Sequence, residues 1–535
     1  MAIRFVVAAT LTLALSAHAY DFRSEPIRAH MKFLASDLLE GRGAGTRGYD
    51  IAANYVAAQF EAAGVAPGAG GSYFQIIPFR KTIPDDRSTV TITPDGGPSM
   101  LLRYGDGFVT SGDPLHPDRT VEGRVTVVGY GVTAPELKHD DYAGIDVRGR
   151  IVVVFSGAPA RFDGPVRAHY SSSLGKIENA VAHGAAGVMM LRTLEEAERS
   201  PWERTARQSR LGAMHWLRAD GTPQSVSPEI SSPVTLNPDV ADTILGRSGQ
   251  NLKAIGAALK DGSFRAFELP MKASIRTISS HQRAESANVV GVVRGSDPKL
   301  RDEYLVYSSH LDHVGITEPV NGDAINNGAF DNASGIAALI EIAKAMADQK
   351  PAPRRSILFL ATTAEEKGLR GADYFAINPT VPRTQLVGNI NIDQVMMIDA
   401  VSDVIVHGID ASTLGDVARR VAAKHSIGIS DDPFPEEVVF VRSDQYPFVK
   451  QGIPALYIDP GYKAVAPGVD AKQNQMAWIK SRYHTPSDDL DQKMDFSVPA
   501  ALARFDFLIG LEVANADARP AWKPGNFFGE TFGRR

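Results

Sequence analysis

The chain has 535 residues, of which 44% are hydrophobic and 22% are charged, and its formal net charge is −6. This length exceeds what one compact core usually holds, so we expect at least two domains. The small negative charge gives no indication of a nucleic-acid partner. Because the chain has no cysteine, disulfides, a catalytic cysteine and a lipidated-cysteine anchor are excluded.

The first residues are typical of an export signal. A short basic start, Met1-Ala-Ile-Arg4, precedes an apolar stretch at residues 5–15, and Ala17-His18-Ala19 fits a cleavage site. The stretch is too short to span a membrane. We therefore predict a signal peptide at 1–19, cleaved before Tyr20, in a bacterial periplasmic or secreted protein without stable membrane insertion. An uncleaved N-terminal anchor is the alternative, and export without disulfides is compatible with the periplasm or the medium.

Residues 20–112 are predicted to form the N-terminal part of the main domain. Helices are expected at 30–39 and 49–63, and the alternation of apolar and polar residues at 88–110 indicates strands. The first helix carries apolar residues at helical spacing: Met31, Leu34 and Leu38.

The character of the chain changes at residues 113–282, which we call the insert. Strands are predicted at 124–131, 150–155 and 186–191, with a short amphipathic helix at 174–184. The polar segment 199–232 is predicted to be a long loop, which could cover a cleft of the main domain.

Residues 283–518 alternate between strands and helices. Strands are predicted at 303–309, 356–364, 389–393 and 454–458. This alternation predicts an α/β fold, with a mostly parallel sheet, helices on both faces and a smaller β-rich insert. The tail at 519–535 has no clear period and is expected either to dock on the body or to be disordered.

Glu365 and Glu366 close the apolar run 356–364, which is typical of a buried parallel strand. Adjacent carboxylates at such a place repel each other, and a nearby cation would remove the repulsion. Open α/β proteins place their sites at this edge of the sheet. The pair therefore indicates a functional site rather than a packing feature.

Further metal-binding side chains follow other predicted strands or begin a helix. The candidate ligands are His310, Asp331, Glu366, Asp393 and His484. Two imidazoles and three carboxylates suit zinc. One catalytic zinc needs three protein ligands and a water, whereas five ligands with one shared carboxylate fit two ions about 3.5–4 Å apart. We therefore expect two zinc ions per chain.

The motifs occur in the order His310-x-Asp, Asp331-Asn-x-Ser-Gly, Glu-Glu366, Asn-x-Asp393 and Tyr-His484-Thr-Pro-x-Asp. In this order the chain resembles the co-catalytic di-zinc peptidases of the aminopeptidase and glutamate carboxypeptidase type, over roughly 285–515. Residues 34–46 resemble the start of that catalytic domain. The stretch at 140–153, with the helix and strand after it, resembles a protease-associated domain, a module commonly inserted in this family and without catalytic residues here.

The resemblance implies a role for each matching residue. It implies that Asp331 bridges the two zinc ions and that the other four ligands each belong to one ion. It also implies that Asp312 orients His310 and that Glu365 is the general base. Tyr483 is implied to donate a hydrogen bond to the oxyanion. Gln445 departs from a histidine common in relatives, which puts substrate contacts there in doubt. Whether His313 touches the site stays open.

The expected activity is that of an exported zinc aminopeptidase acting on peptides. No Gly-x-Ser-x-Gly elbow supports a serine hydrolase. Three alternatives stay open: a glutamate-carboxypeptidase-like enzyme, a glutaminyl-cyclase-like enzyme and a non-catalytic receptor-like relative. A carboxypeptidase needs a cation for the substrate carboxylate, for which Arg442 or Arg482 are candidates.

Overall fold

The computed structural model describes residues 20–224, 226–230, 233–435 and 439–533. The expected signal peptide, residues 1–19, lies outside these described residues. None of the described helices is both long and apolar enough to cross a membrane.

The regular elements follow one another closely along the described chain. The α-helices are α1 Ser24–Leu34, α2 Arg47–Ala62, α3 Gly164–Tyr170, α4 Ser173–Ala182, α5 Leu194–Arg199, α6 Trp202–Ser209, α7 Pro238–Gly246, α8 Leu252–Asp261, α9 Ser334–Ala347, α10 Arg370–Ile377, α11 Thr413–His425, α12 Gln445–Lys450, α13 Ala471–Ser481, α14 Ser497–Asn515 and α15 Phe527–Phe532. The strands are β1 Ala66–Pro67, β2 Phe74–Pro84, β3 Thr89–Pro94, β4 Met100–Arg103, β5 Phe108–Thr110, β6 Asp118–Val127, β7 Thr133–Ala134, β8 His139–Asp140, β9 Ile151–Phe155, β10 Gly187–Leu191, β11 Ala213–Trp216, β12 Val234–Leu236, β13 Phe267–Val293, β14 Tyr304–His310, β15 Gly315–Val320, β16 Asp323–Asn326, β17 Ser356–Thr362, β18 Leu386–Asn391, β19 Asp403–His407, β20 Gly428–Ser430 and β21 Ala455–Pro460.

The main sheet has the expected mostly parallel centre. Strand β14 lies between β17 and β18 and runs parallel to both, and β21 continues the parallel order beyond β18. Beyond β21 lies the antiparallel β19, and β20 pairs parallel to β19. On the other side, β13 pairs antiparallel with β17. The predicted α/β fold with a mostly parallel sheet is therefore confirmed.

Helices cover both faces of this sheet because its central strands are apolar on both sides. Leu305 and Tyr307 of β14 belong to a buried cluster with α1, α2, α9, α11 and α14. Tyr304 and Val306 point to the opposite face, where they pack with Phe375 of α10 and with α12. This alternation along one strand is the two-residue period of β-structure buried on both faces.

Strand β13 is shared by two sheets. Its first part pairs with β3 and β6, and its later part pairs with β2 and then with β17 of the main sheet. The sheet of the insert continues from β6 through the parallel strands β9, β10 and β12 to β5. Residues 89–110 share the sheet and hydrophobic core of the insert. The boundary at 113 stays a prediction, but packing groups these preceding strands with the insert.

Two local expectations from the sequence are wrong. The helix expected at 30–39 ends at Leu34, and a 3₁₀ turn with positive φ at Glu40 and Gly41 follows, so Leu38 is 75% exposed. The segment 199–232, expected to be a loop, contains α6 and β11, and β11 pairs antiparallel with β2. Pairing with a distant strand orders a segment whose own composition is polar.

The C-terminal tail docks on the body over its described part. Phe528 of α15 is fully buried in a cluster with Tyr446 of α12 and Ala168 of α3. The tail thus lies between the insert and the main domain and contacts both.

Candidate metal centre

The predicted ligands meet at the carboxyl edge of the main sheet. His310 is the last residue of β14, Asp393 follows β18, and Glu366 follows β17. Asp331 lies in a short π-helical turn just before α9, and His484 follows α13. Parallel strands end at the same edge, so residues that are far apart in sequence are brought together there.

Two groups of side chains are arranged so that each could hold one metal ion. The first consists of His313, Asp331, Glu366 and His484; the second consists of His310, Asp331 and Asp393. Within each group the ligand atoms lie within 4.8 Å of one another. All five predicted ligands are present, and Asp331 is common to both groups.

Asp331 directs one carboxylate oxygen to each group. Its Oδ1 lies 3.1 Å from His310 Nε2, and its Oδ2 lies 3.1 Å from His484 Nε2. His310 Nε2 is also 2.9 Å from Asp393 Oδ1, and His484 Nε2 is 3.2 Å from Glu366 Oε2. Each carboxylate oxygen of Asp331 therefore faces a different ligand group, and the bridging role stays a prediction.

His313, which the sequence leaves undecided, belongs to the first group. Its ring is fully buried, and its Nδ1 lies 2.7 Å from Glu366 Oε1. These two atoms and His313 Nε2 have no hydrogen-bond partner among the described residues. Buried polar atoms without hydrogen bonds are costly, and a cation bound by both Nδ1 and Oε1 would satisfy the two atoms. The donor set therefore fits a metal. The sequence signal was present, because His313 follows a strand end by three residues.

The charges of the site also fit a cation. Burial disfavours the charged form of His484, but the neighbouring Glu366 and Asp331 outweigh it and raise the pKa of His484 to about 10. Burial would raise the pKa of Asp331, yet hydrogen bonds from His310 and His484 hold that pKa well below its usual value. The carboxylates thus need positive charge close by, from imidazolium groups or from metal ions.

Asp312 supports the site differently from the expected way. His310 Nδ1 contacts the backbone carbonyl of Asp312, at 3.0 Å, rather than its carboxylate. The carboxylate instead accepts hydrogen bonds from the backbone N–H groups of Glu365, at 3.0 Å, and Glu366, at 3.4 Å. The backbone of Asp312 thus contacts the His310 ring, while its side chain holds the Glu365-Glu366 turn.

Glu365 belongs to neither ligand group. Burial raises the pKa of its carboxyl well above the usual value; His310 opposes this shift, and Asp393 and Glu366 add to it. Glu365 therefore lies in the field of the ligands without being placed as one of them.

A polar network behind Asp393 was not foreseen from the sequence. Ser443 Oγ donates to Asp393 Oδ2 at 2.5 Å, and Asn391 Nδ2 donates to Ser443 Oγ at 2.8 Å and to Gln445 Oε1 at 2.9 Å. Gln445 is fully buried and its Nε2 donates to the Phe440 carbonyl at 2.8 Å. Gln445 thus holds the backbone around the site.

Arg42 links the glycine-containing segment 34–46 by hydrogen bonds to the loops that follow β14 and β16. Its guanidinium donates to the carbonyls of Leu311, Asn327 and Gly328 at 2.9, 2.6 and 2.9 Å, and to that of Leu34. The side chain is buried, and burial lowers its pKa to about 10, still well above neutral pH. A fixed positive charge therefore lies near the carboxylates of Asp331, Asp312 and Glu366.

Tyr483 packs directly on a ligand. Its ring lies 3.8 Å from the ring of His484, measured between centroids. Burial raises the pKa of the Tyr483 hydroxyl well above its usual value; Asp331 adds to this shift, and Arg442 opposes it. The phenol therefore stays protonated at neutral pH and can donate a hydrogen bond.

Comparison with known proteins gives a consistent result. Residues 288–505 match the profile of Peptidase family M28. A probable zinc metalloprotease of Pyricularia oryzae is 25% identical over 265 residues, covering 43% of this chain and 50% of that protein. Aminopeptidase NAALADL1 of Mus musculus is 34% identical over 127 residues, covering 22% of this chain and 15% of the relative. The chain thus spans half the length of the Pyricularia oryzae protein.

One solved structure resembles the chain over nearly its whole length. The aminopeptidase from Aneurinibacillus sp. strain AM-1 has a TM-score of 0.52 and 20% identity, over 94% of this chain and 96% of that chain. At this identity the likeness shows the fold alone.

Proposed function

We propose that the protein is an exported zinc aminopeptidase that removes N-terminal residues from peptides, because residues 288–505 match Peptidase family M28. The observation that carries this proposal is the pair of ligand groups that share Asp331. We include the signal peptide at 1–19 and the protease-associated character of residues 113–282 in the proposal.

The proposed centre holds two zinc ions. His310 and Asp393 would bind one ion, Glu366 and His484 would bind the other, and Asp331 would bind both. His313 Nδ1 is placed to add a further ligand beside Glu366, and zinc accepts five ligands as well as four. When bound, the ions would polarise the peptide carbonyl and lower the pKa of a water toward about 7.

The residues around the centre would then divide the remaining work. Glu365 accepts the proton of the attacking water and delivers it to the leaving amine. Tyr483 donates a hydrogen bond to the oxyanion that develops on the peptide carbonyl. Asp312 keeps Glu365 in place through the hydrogen bond to its backbone N–H. No covalent intermediate with the protein is needed.

The acidic character of the site supports an aminopeptidase over a carboxypeptidase. A free substrate ammonium would meet the carboxylates of the ligand groups, whereas a C-terminal carboxylate would need a cation. Arg482, one candidate for that cation, donates to the carbonyl of Ser487 at 2.6 Å and serves its own loop. Arg442, the other candidate, lies near Tyr483, and the substrate test below decides between the two activities. A glutaminyl cyclase and a non-catalytic relative are disfavoured because the two complete ligand groups and Glu365 are all present.

The test compares amino-acid anilides with N-blocked peptides, before and after chelation and zinc re-addition. We expect cleavage of the free-amino substrates, none of the blocked ones, and about two zinc ions per chain by elemental analysis. Trimming of blocked peptides from the C-terminus would indicate a carboxypeptidase, and cyclisation of N-terminal glutamine would indicate a cyclase. Full activity with one ion would overturn the two-zinc proposal.

N-terminal sequencing of the exported protein should begin at Tyr20.

A further inference from the structure

The insert reaches the candidate metal centre through one side chain. Gln208 lies near the end of α6, and its Nε2 is 3.0 Å from Nδ1 of His484. The other ring nitrogen of His484, Nε2, faces Asp331 and Glu366. Gln208 therefore contacts a proposed zinc ligand at the nitrogen that the metal does not use.

We propose that Gln208 is a positioning residue that fixes the ring orientation and tautomer of His484, so that the insert completes the zinc site. This inference rests on the proposed function. Gln208 and His484 are separated by 276 residues, and neither belongs to a motif that connects them in sequence.

The chemistry of a histidine ligand requires such a partner. A neutral imidazole that binds a metal through Nε2 carries its proton on Nδ1, and this N–H needs an acceptor. A half rotation of the Gln208 amide exchanges its oxygen and nitrogen, so that Oε1 accepts the proton of His484 Nδ1. The acceptor then holds the ring in the tautomer that offers its lone pair to the metal.

The helix that carries Gln208 is anchored at its start to both the main domain and the insert. Arg204 Nη2 donates to the carbonyl of Lys480 at 2.8 Å, in the last turn of α13 just before His484. Trp202 Nε1 donates to the carbonyl of Gly105 at 2.8 Å, on the side of the insert. The distance between the Gln208 amide and the His484 ring is thus set by contacts of α6 with the two parts of the protein.

Apart from Gln208 and the contacts of its Nε2 with Asp331 and Glu366, the imidazole has few restraints on its rotation. His484 has a positive φ of 53°, in the left-handed region. Tyr483 packs against its ring, and the His313 ring lies edge-on at 5.5 Å. These contacts limit tilting of the ring but offer no acceptor to Nδ1. Among the described residues, the hydrogen-bond partner of Nδ1 is Gln208.

The experiment uses the full-length zinc-loaded protein and three variants. Gln208→Leu removes the acceptor at similar size, Gln208→Glu keeps an acceptor, and Gln250→Leu makes the same change at an exposed glutamine of the insert. Zinc affinity is measured by chelator competition, and the thermal midpoint of each zinc-free protein is measured in parallel. Partners of metal ligands typically change affinity 10–100-fold.

We expect Gln208→Leu to lower the affinity for one of the two zinc ions 10–100-fold and to leave the thermal midpoint of the zinc-free protein unchanged. Gln208→Glu and Gln250→Leu should bind both ions within a few-fold of wild type. Wild-type zinc affinity in Gln208→Leu, or equal losses in the Leu and Glu variants, would overturn the positioning role while leaving the proposed function intact. A wild-type protein that binds no zinc would instead overturn the proposed function, and this inference with it. Gln208→Met replaces the Leu variant if that variant does not fold.

Discussion

Glu365 and Glu366 are adjacent in sequence but face different partners. Glu366 lies against His313 and His484 in one ligand group, whereas Glu365 belongs to neither group and lies in the field of His310 and Asp393. Asp312 holds both backbone N–H groups, so the turn presents the two carboxylates in fixed and different directions. The two residues are therefore expected to respond differently to the same substitution.

Glu365→Gln should lower kcat about 10²–10⁴-fold, because the amide cannot accept a proton, and should keep the zinc content near wild type. Glu366→Gln should lose zinc from one site. Kinetics and elemental analysis of both variants provide the comparison, and each variant serves as the control for the other. Loss of zinc in the first variant and retention in the second would reverse the assigned roles.

Tyr483→Phe should lower kcat about 10²–10³-fold, the usual effect of losing one oxyanion donor. The KM and the zinc content should hardly change, because the ring still packs on His484. Steady-state kinetics with an anilide substrate measure this split. Wild-type turnover in the Phe variant would make Tyr483 a packing residue only.

Arg42→Lys should destabilise the zinc-free protein by about 2–4 kcal/mol. Lysine cannot reproduce the fork that reaches four backbone carbonyls, and each buried group left unpaired costs about 1–3 kcal/mol. Urea unfolding measures the free energy difference. Arg47→Lys is the control, because the Arg47 side chain is 75% exposed and should change stability by less than about 0.5 kcal/mol. Equal effects at both positions would remove the linking role of Arg42.

At the scale of elements, the strands that carry the ligands could be predicted because each is a short apolar run ending in a polar ligand. His310 and Asp393 were found in this way. Gln208 could not be found, because its partner His484 is brought to it by packing of α6 and not by any local pattern. The first helix was expected to reach residue 39 because the apolar spacing continues to Leu38, but it ends at Leu34 because Ala35 and Ser36 leave helical backbone geometry.

We predict that helix α6 also limits access to the site, because Gln208 near its end contacts His484. Trp202→Ala removes the hydrogen bond to Gly105 and should loosen α6. We expect kcat/KM for long peptides to rise relative to that for anilides, since lids restrict long substrates more than short ones. Measuring kcat/KM over peptides of increasing length tests this. An unchanged length profile would assign α6 no role in access.

At the scale of the whole molecule, the insert is held at a second place by the C-terminal tail. His169 of α3 lies 2.6 Å from the Tyr446 hydroxyl, measured from Nδ1, and its ring contacts Phe527 and Phe532 of α15. Burial lowers the pKa of His169 to about 4; Glu136 opposes this shift, and Lys450 adds to it. The neutral imidazole therefore fits this aromatic cluster better than the charged one.

This depressed pKa makes stability depend on pH. The unfolded chain, with a His169 pKa near 6.5, binds the proton more readily, so this contribution is complete above about pH 6.5 and is lost as pH falls toward about 4. The loss between pH 7 and pH 5 is about 2 kcal/mol. In the zinc-free His169→Phe variant, the free energy of unfolding measured with urea should lack this part of the pH dependence. An identical pH profile in both proteins would contradict the prediction.

The strand shared by both sheets affects how the chain is made. Residues 74–84 of β2 pair with residues 279–289 of β13. One edge of this first long strand therefore stays unpaired until nearly all of the insert has been synthesised. Strand β13 also closes the sheet of the insert. The sheet of the insert therefore cannot be completed before residue 278 has left the exit tunnel, and β2 cannot complete its pairing with β13 before residue 289 has done so. A nascent chain arrested earlier would expose two unpaired sheet edges at once, and such edges readily pair with other chains.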